Sequence, residues 1–259
     1  MDLFSFNPLS LFSFLLTLMR VSLVVFLLPF YGGDTLPAMV KAFICLVLTL
    51  ALWPHLSFPG ELMPAHPGEL ALILLGELIL GLMLSLCVAF IFAGIQTGGE
   101  IMGFQMGFTM VTLADPLSGT EASISSHLLY MLSLLIFLAL DGHLVLLRGL
   151  ADSFSLIPPG GLHVGGRLAG SVLELSAAMF SVAVQIAGPV IAALFMVELA
   201  LALMGRAAPQ MNLLTLGFPL KIAVGFFFIG MIFSIIALRM EETIIEMGPL
   251  FDNFMRLGR

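Results

Sequence analysis

Histidine and acidic side chains are the residues of this sequence that could do chemistry, and two of them lie together in the stretch LDGHLVLLR. Asp141 and His143 in this stretch, with His127 upstream, could in principle ligate a metal ion. A zinc protease would need HExxH on one helix face, and that motif is absent, as is the phosphate loop GxxxxGK[ST]. The pattern instead favours a helix end, with Gly142 as the stop and His143 near the last carbonyls. The sequence therefore predicts no catalysis, no cofactor and no metal site.

Charged residues within or near strongly apolar runs are the next candidates. They are Arg20, Lys41, Glu77, Glu174, Glu198 and Lys221. A charge facing lipid at the bilayer centre costs about 2.5–3.5 kcal/mol, so these residues must pair, line water or face protein. An ion pathway would use such groups, but no two acids lie at i, i+4 in a pathway-like series within the apolar runs. Pairing between helices or between subunits is the favoured interpretation, above all for Glu77 within ILLGELILG.

The composition is that of a membrane protein rather than of a soluble domain. Of the 259 residues, 60% are hydrophobic and 10% are charged, and the mean hydropathy is +1.17. A soluble domain carries about 25% charged residues, so lipid or apolar partners must cover most of this surface. The net charge is −7 and no basic run occurs, so nucleic acid is not expected as a partner.

The apolar runs determine the expected fold class. Because a span needs about 20 apolar residues and isolated strands cannot cross lipid, we expect an all-α, polytopic, membrane-type fold. About six hydrophobic helical segments, forming hairpins, are predicted at Leu9–Phe30, Ala38–Trp53, Leu70–Ile95, Ser126–Leu140, Ser171–Leu203 and Leu213–Leu238. The tail Glu241–Arg259 is predicted to be an amphipathic helix broken near Pro249. Cys45 and Cys87 lie in apolar runs and are expected to be buried.

The segment GEIMGFQMGFTMVTLADPLSG lies between the third and fourth apolar runs. Written as a helix to Met110, it carries a glycine stripe and a methionine stripe, formed by Gly99, Gly103 and Gly107 and by Met102, Met106 and Met110. The glycines predict close packing of another helix, and the methionines predict flexible filling of gaps. Pro116 then ends the helix. The residues alone favour equally a re-entrant loop that lines a cavity and an ordinary packed helix with a loop.

Three blocks of this chain resemble the FliR family of flagellar biosynthetic proteins, the FliR/SctT-type subunits of the type III secretion export gate. The blocks are GEIMGFQMGF…ADPLSG, LLIFLALDGH and, after RAAPQ, NLLTLGFPLKI. The resemblance covers nearly the whole chain. The family often has Asn before the Gly-His pair, where this chain has Asp141, a position that is not catalytic.

The resemblance implies an assembly and its location. The family forms a protein-conducting gate with several copies each of FliP and FliQ in the bacterial inner membrane, at the flagellar basal body. FlhB wraps the closed gate, FlhA forms the energised ring, and unfolded flagellar proteins are the substrates. By the same resemblance, residues 1–180 form a FliP-like helical part and residues 181–259 a FliQ-like hairpin with the amphipathic tail.

A plug that seals the closed gate is also implied by the resemblance. The matching residues are Gln105, Met106, Gly107, Phe108, Thr109, Met110, Val111, Thr112, Leu113, Ala114 and Asp115. Subunit contact or charge pairing is expected at Glu77, Glu174, Glu198, Arg206, Gln210, Asn212, Pro219 and Lys221. The alternatives are the equivalent gate subunit of a virulence secretion system and a small-solute secondary transporter that uses intramembrane acids and broken helices.

Overall fold

The computed structural model of the chain describes residues 8–29, 36–55, 64, 66–108, 123–158, 160–162, 165–208, 210 and 213–258. Seven α-helices and no strand occur within these ranges, which confirms the predicted all-α class. The helices are α1 (Pro8–Leu27), α2 (Ala38–Leu52), α3 (Pro67–Met106), α4 (Ile124–Ala139), α5 (Gly142–Leu156), α6 (Gly166–Ala207) and α7 (Leu213–Leu257). A single 3-10 turn, Trp53–His55, follows α2.

Helix length and composition confirm the membrane-type character. Four helices, α1, α3, α6 and α7, are long and apolar enough to cross a bilayer, and α4 with α5 can count as a fifth, broken span. By contrast, α2 has 15 residues and is about 22 Å long, which is less than the hydrocarbon core of about 30 Å. The helices therefore differ widely in length, and not every apolar helix is long enough to cross a bilayer by itself.

The predicted break in the C-terminal tail is wrong, because α7 continues through Pro249 to Leu257. Buried apolar side chains on this last part of α7 explain the continuation. They are Ile244, Met247, Phe251, Phe254 and Met255. Packing of this face stabilises the helix, and a missing backbone donor is tolerated where neighbouring helices surround it.

Two compact units make up the chain. The first comprises residues 1–90, 141–175 and 244–259, and the second comprises residues 91–140 and 176–243. The division into parts 1–180 and 181–259 that the family resemblance implies stays a prediction.

Close helix packing in the first unit depends on small residues. A Cβ added to Gly81 would lie 2.8 Å from Leu23 Cβ, so α1 and α3 approach closely there. A Cβ at Gly149 of α5 would lie 2.5 Å from Cδ2 of the Phe251 ring of α7. Both contacts are below the separation that carbon atoms tolerate, so only glycine fits at these positions.

The second unit packs the later part of α3 against α4 and α6. Phe92 of α3 and Phe137 of α4 meet edge to face with ring centroids 5.4 Å apart. On α3, a Cβ at Gly94 would lie 2.9 Å from the backbone carbonyl oxygen of Met179 in α6. Gly98, one turn later, similarly approaches the backbone of Ala183. This packing holds the end of α3, where the chain enters the predicted plug.

Gly149→Ala should destabilise the protein by about 1–3 kcal/mol, because the methyl group meets an aromatic ring that is itself buried. The readout is the midpoint of thermal unfolding of the protein purified in detergent. Gly170→Ala in α6 is the matched control, because nothing lies within 4 Å of its Cβ position. Equal midpoints for the two variants would contradict the close packing of α5 and α7.

Candidate functional site

The end of α3 is the structural start of the predicted plug. The helix ends at Met106, so the expectation of a helix continuing to Met110 is wrong. Gly107 has φ of +91°, which glycine adopts without steric cost. Its amide donates to the carbonyl of Phe104 (3.1 Å), and the amide of Phe108 donates to the carbonyl of Gly103 (3.0 Å). These two bonds form a Schellman cap, which closes the helix and turns the chain away from its axis.

The described part of the predicted plug is Gln105–Phe108. Met106 is fully buried, whereas Gln105, Gly107 and Phe108 are half-buried. The remaining plug residues, 109–115, lie outside the described residues. The role of the segment as a plug therefore stays a prediction.

The first two residues of the glycine stripe, Gly99 and Gly103, face the start of α4. A Cβ at Gly99 would lie 2.5 Å from the Cα atom of Ser126. A Cβ at Gly103 would overlap the hydroxyl oxygen of Ser123 and lie 2.5 Å from that of Ser125. The stripe thus lies where two helix backbones approach as closely as small residues permit.

Serine hydroxyls add directional bonds to this close approach. The Ser125 hydroxyl donates to the carbonyl of Gly99 (2.8 Å), and the hydroxyls of Ser123 and Ser125 are 2.7 Å apart. Ser125 is fully buried, so this bond is shielded from water. Helices α3 and α4, which precede and follow residues 109–122 in the sequence, are therefore held together by close packing and by a hydrogen bond. Sequence reasoning missed these serines, although their position directly after the segment was a usable signal.

Glu77 lies beside Arg20 in the first unit, and both side chains are fully buried. Nε of Arg20 donates to Oε2 of Glu77 (2.5 Å), and Nη2 donates to Oε1 (2.8 Å). This is the bidentate geometry that makes guanidinium–carboxylate pairs strong and directional. The pair connects α1 to α3.

Ser153 of α5 and Ile157, the residue directly after α5, supply the other acceptors of Arg20. Nη1 donates to the Ser153 hydroxyl (3.2 Å) and to the Ile157 carbonyl (3.3 Å), and Nη2 donates to the same carbonyl (3.2 Å). All five N–H groups of the guanidinium are thereby used. The Phe154 ring lies over the guanidinium, with its centroid 4.2 Å from Cζ. A carboxylate this fully engaged is a structural anchor rather than an ion relay.

Glu198 of α6 and Lys221 of α7 form a second ion pair, in the second unit. The Nζ atom of Lys221 is 2.5 Å from Oε1 of Glu198. Their side chains are 39% and 21% exposed for the acid and the base, respectively. Water therefore screens this pair much more than it screens Arg20–Glu77.

The other residues expected to make subunit contacts or charge pairs have no common location. Glu174, Arg206, Gln210 and Pro219 are exposed, and Asn212 lies outside the described residues. Exposed side chains are available to a partner, so their role in subunit contact stays a prediction.

The Asp141–His143 stretch differs from its prediction. Asp141, with φ of +57°, occupies the left-handed position expected of glycine, and Gly142 begins α5. Asn and Asp are the non-glycine residues that best tolerate this conformation.

His143 lines an apolar cavity of about 80 Å³ between α1, α2 and α5. Among the described residues, no group of three or more His, Cys, Asp or Glu could hold a metal ion. Cys45 and Cys87 are buried and free, as predicted.

The described residues form an all-helical, membrane-type protein in which Ser125 joins α4 to α3 and a buried ion pair joins α1 to α3. The chain belongs to the family of bacterial export proteins, family 1, whose model matches residues 11–247. It is 30% identical to the flagellar biosynthetic protein FliR of Escherichia coli strain K12, over 92% of this chain and 90% of the relative.

Similar relatives occur in distant bacteria. The flagellar biosynthetic protein FliR of Bacillus subtilis strain 168 is 31% identical over 86% of this chain and 87% of its own length. The FliR protein of Aquifex aeolicus is 25% identical over 95% of both chains. The family resemblance read from the three sequence blocks is therefore confirmed.

Glu77→Gln should destabilise the protein by about 3–5 kcal/mol, because it leaves a buried guanidinium without its counter-charge. Glu198→Gln is the matched control at the half-exposed pair and should cost at most about 1 kcal/mol. Thermal unfolding of the purified chain measures both. An equal loss of stability at the two sites would show that burial does not distinguish the pairs.

Gly103→Val should separate α3 from the start of α4, because its side chain would occupy the space of the Ser123 and Ser125 hydroxyls. We expect a loss of about 1–3 kcal/mol in stability and a lower yield of the assembled complex. Gly230→Val in α7, where the Cβ position is open, is the control in the isolated chain. Normal stability and yield for Gly103→Val would contradict the packing role of the glycine stripe.

Proposed function

We propose that this protein is a subunit of the flagellar type III secretion export gate. In this proposal it assembles with FliP- and FliQ-type proteins in the bacterial inner membrane, at the flagellar basal body. The observation that carries the proposal is family membership across residues 11–247, together with relatives that are named flagellar biosynthetic protein FliR. Helices long and apolar enough to cross a membrane are consistent with this location.

Residues 105–115 form the plug of the closed gate in this proposal. The support is the Schellman cap at Gly107, which makes the chain leave the helix within the plug segment. The fastened contact between α3 and α4 holds both flanks of residues 109–122 while the segment itself is displaced. Methionine and phenylalanine side chains provide an adaptable apolar seal, which limits ion leakage at rest.

The transported substrate is an unfolded flagellar protein, and transport needs no catalysis by this chain. FlhB-type and FlhA-type proteins are the further partners, at the rim and the cytoplasmic side of the gate. A small-solute transporter is less well supported, because the buried acid Glu77 has both carboxylate oxygens bound to Arg20. A virulence secretion gate would share the same mechanism, and the names of the relatives favour the flagellar one.

Deletion of residues 107–112 should raise the ion conductance of the assembled gate, because it shortens the plug and removes its cap glycine. The gate, co-purified with its FliP- and FliQ-type partners, is reconstituted in planar bilayers, and the current is recorded without substrate. Recovery of the complex is measured in parallel. A complex that assembles normally but conducts at the wild-type level would refute the plug. Failure of the wild-type chain to co-purify with either partner would refute the gate assignment.

A further inference from the structure

We propose that helix α7 provides the seat on which the plug closes, formed by Phe218, Gly225 and Phe226, and that this seat sets how firmly the gate stays shut. The inference rests on the proposed function of residues 105–115. It assigns a positioning role to Phe218, which lies within the block NLLTLGFPLKI, and to Gly225 and Phe226, which no motif or charge pattern in the sequence singled out. All of these residues belong to the second compact unit.

The tightest contact of the seat is between Met106 and Gly225. A Cβ at Gly225 would overlap the terminal methyl carbon of Met106 and lie 2.8 Å from its Cγ and 3.0 Å from its sulfur. Met106 is fully buried, so its side chain fills the space that the missing Cβ leaves. The glycine thus acts as a socket for the last helical residue before the cap.

Two aromatic contacts extend the seat along the chain. A Cβ at Gly107 would lie 2.8 Å from Cε1 of the Phe218 ring, so this ring lies directly against the cap glycine. The rings of Phe108 and Phe226 meet edge to face, with centroids 6.2 Å apart and planes at 68°. Three consecutive residues, 106–108, therefore each contact α7.

Helical periodicity explains why α7 can offer these three residues together. Phe218 and Gly225 are seven positions apart, about two turns, and so share one face of the helix, with Phe226 beside them. Lys221 lies between them in sequence and pairs with Glu198 of α6, which holds α7 against its neighbour. The ion pair therefore joins α6 and α7 next to the seat.

The energetics suit a gate that must open. An aromatic pair and a buried methionine favour the closed state through packing alone, without an ion pair or a covalent bond, so a passing chain can displace them. The contacts of residues 106–108 with α7 therefore fix where the plug segment begins in the closed gate.

The decisive variant is Gly225→Val in the full gate, reconstituted with its FliP- and FliQ-type partners. The added side chain fills the socket and displaces Met106, so we expect the resting ion conductance to rise. Met106→Ala in the same chain should return the conductance toward the wild-type level, because it frees the space again. Rescue of this kind would not occur if valine acted only by weakening α7 as a helix.

Phe226→Ala provides a second variant that adds no bulk and does not threaten folding. Loss of the edge-to-face contact with Phe108 should raise the resting conductance about two- to tenfold. Phe227→Ala, at the next and more exposed position of α7, is the matched control and should leave conductance within twofold of wild type. The yield of the complex is recorded for every variant.

The outcomes separate the seat from the plug itself. Increased conductance for Gly225→Val and Phe226→Ala, with rescue of the former by Met106→Ala, supports the seat. If deletion of residues 107–112 raises conductance but Phe226→Ala does not, the seat is refuted and the plug stands. If the deletion leaves conductance at baseline, the plug is refuted, and the seat as a gate element fails with it.

Discussion

A guanidinium and a carboxylate buried together are the constraint on which the first compact unit depends. Arg20 and Glu77 cannot face lipid or an apolar core alone, because either isolated charge would be strongly destabilising there. Their bidentate bond and the acceptors at Ser153 and Ile157 use every N–H group of the guanidinium, and the ring of Phe154 covers its face. Three helices must therefore meet at one point in one register, so the pair specifies an arrangement as much as it adds stability.

The second unit holds together α3 and α4, the two helices between which the chain contains the predicted plug. Glycines at 99 and 103 allow α3 and α4 to touch, and the Ser125 hydroxyl bonds the Gly99 carbonyl. Such a contact is short-range and specific. With α7 behind Met106, the chain enters the predicted plug from a well-supported position.

Arg20–Glu77 and Glu198–Lys221, which each join two different helices, show that burial decides how much an ion pair contributes to the fold. Both join an acid and a base on different helices, yet one pair is fully buried and the other is partly exposed to solvent. Charge in an apolar run was the signal for both, and by itself it does not distinguish an anchor from a screened surface pair. The identity and burial of each partner come from the packing of helices far apart in sequence.

The sequence by itself determined the fold class, the membrane character, the family and the glycine stripe, because these depend on composition, helical period and local motifs. Only the tertiary structure decided that Glu77 pairs with Arg20, that Ser125 bonds Gly99 and that Gly225 receives Met106, because such contacts join residues 26 to 119 positions apart. The tertiary structure also corrected three local predictions, which concern one turn and the course of two helices. Asp141 replaces glycine in the left-handed turn, and α3 ends at Met106 because Gly107 caps it. Helix α7 passes Pro249 because the packing of its buried face outweighs local propensity there.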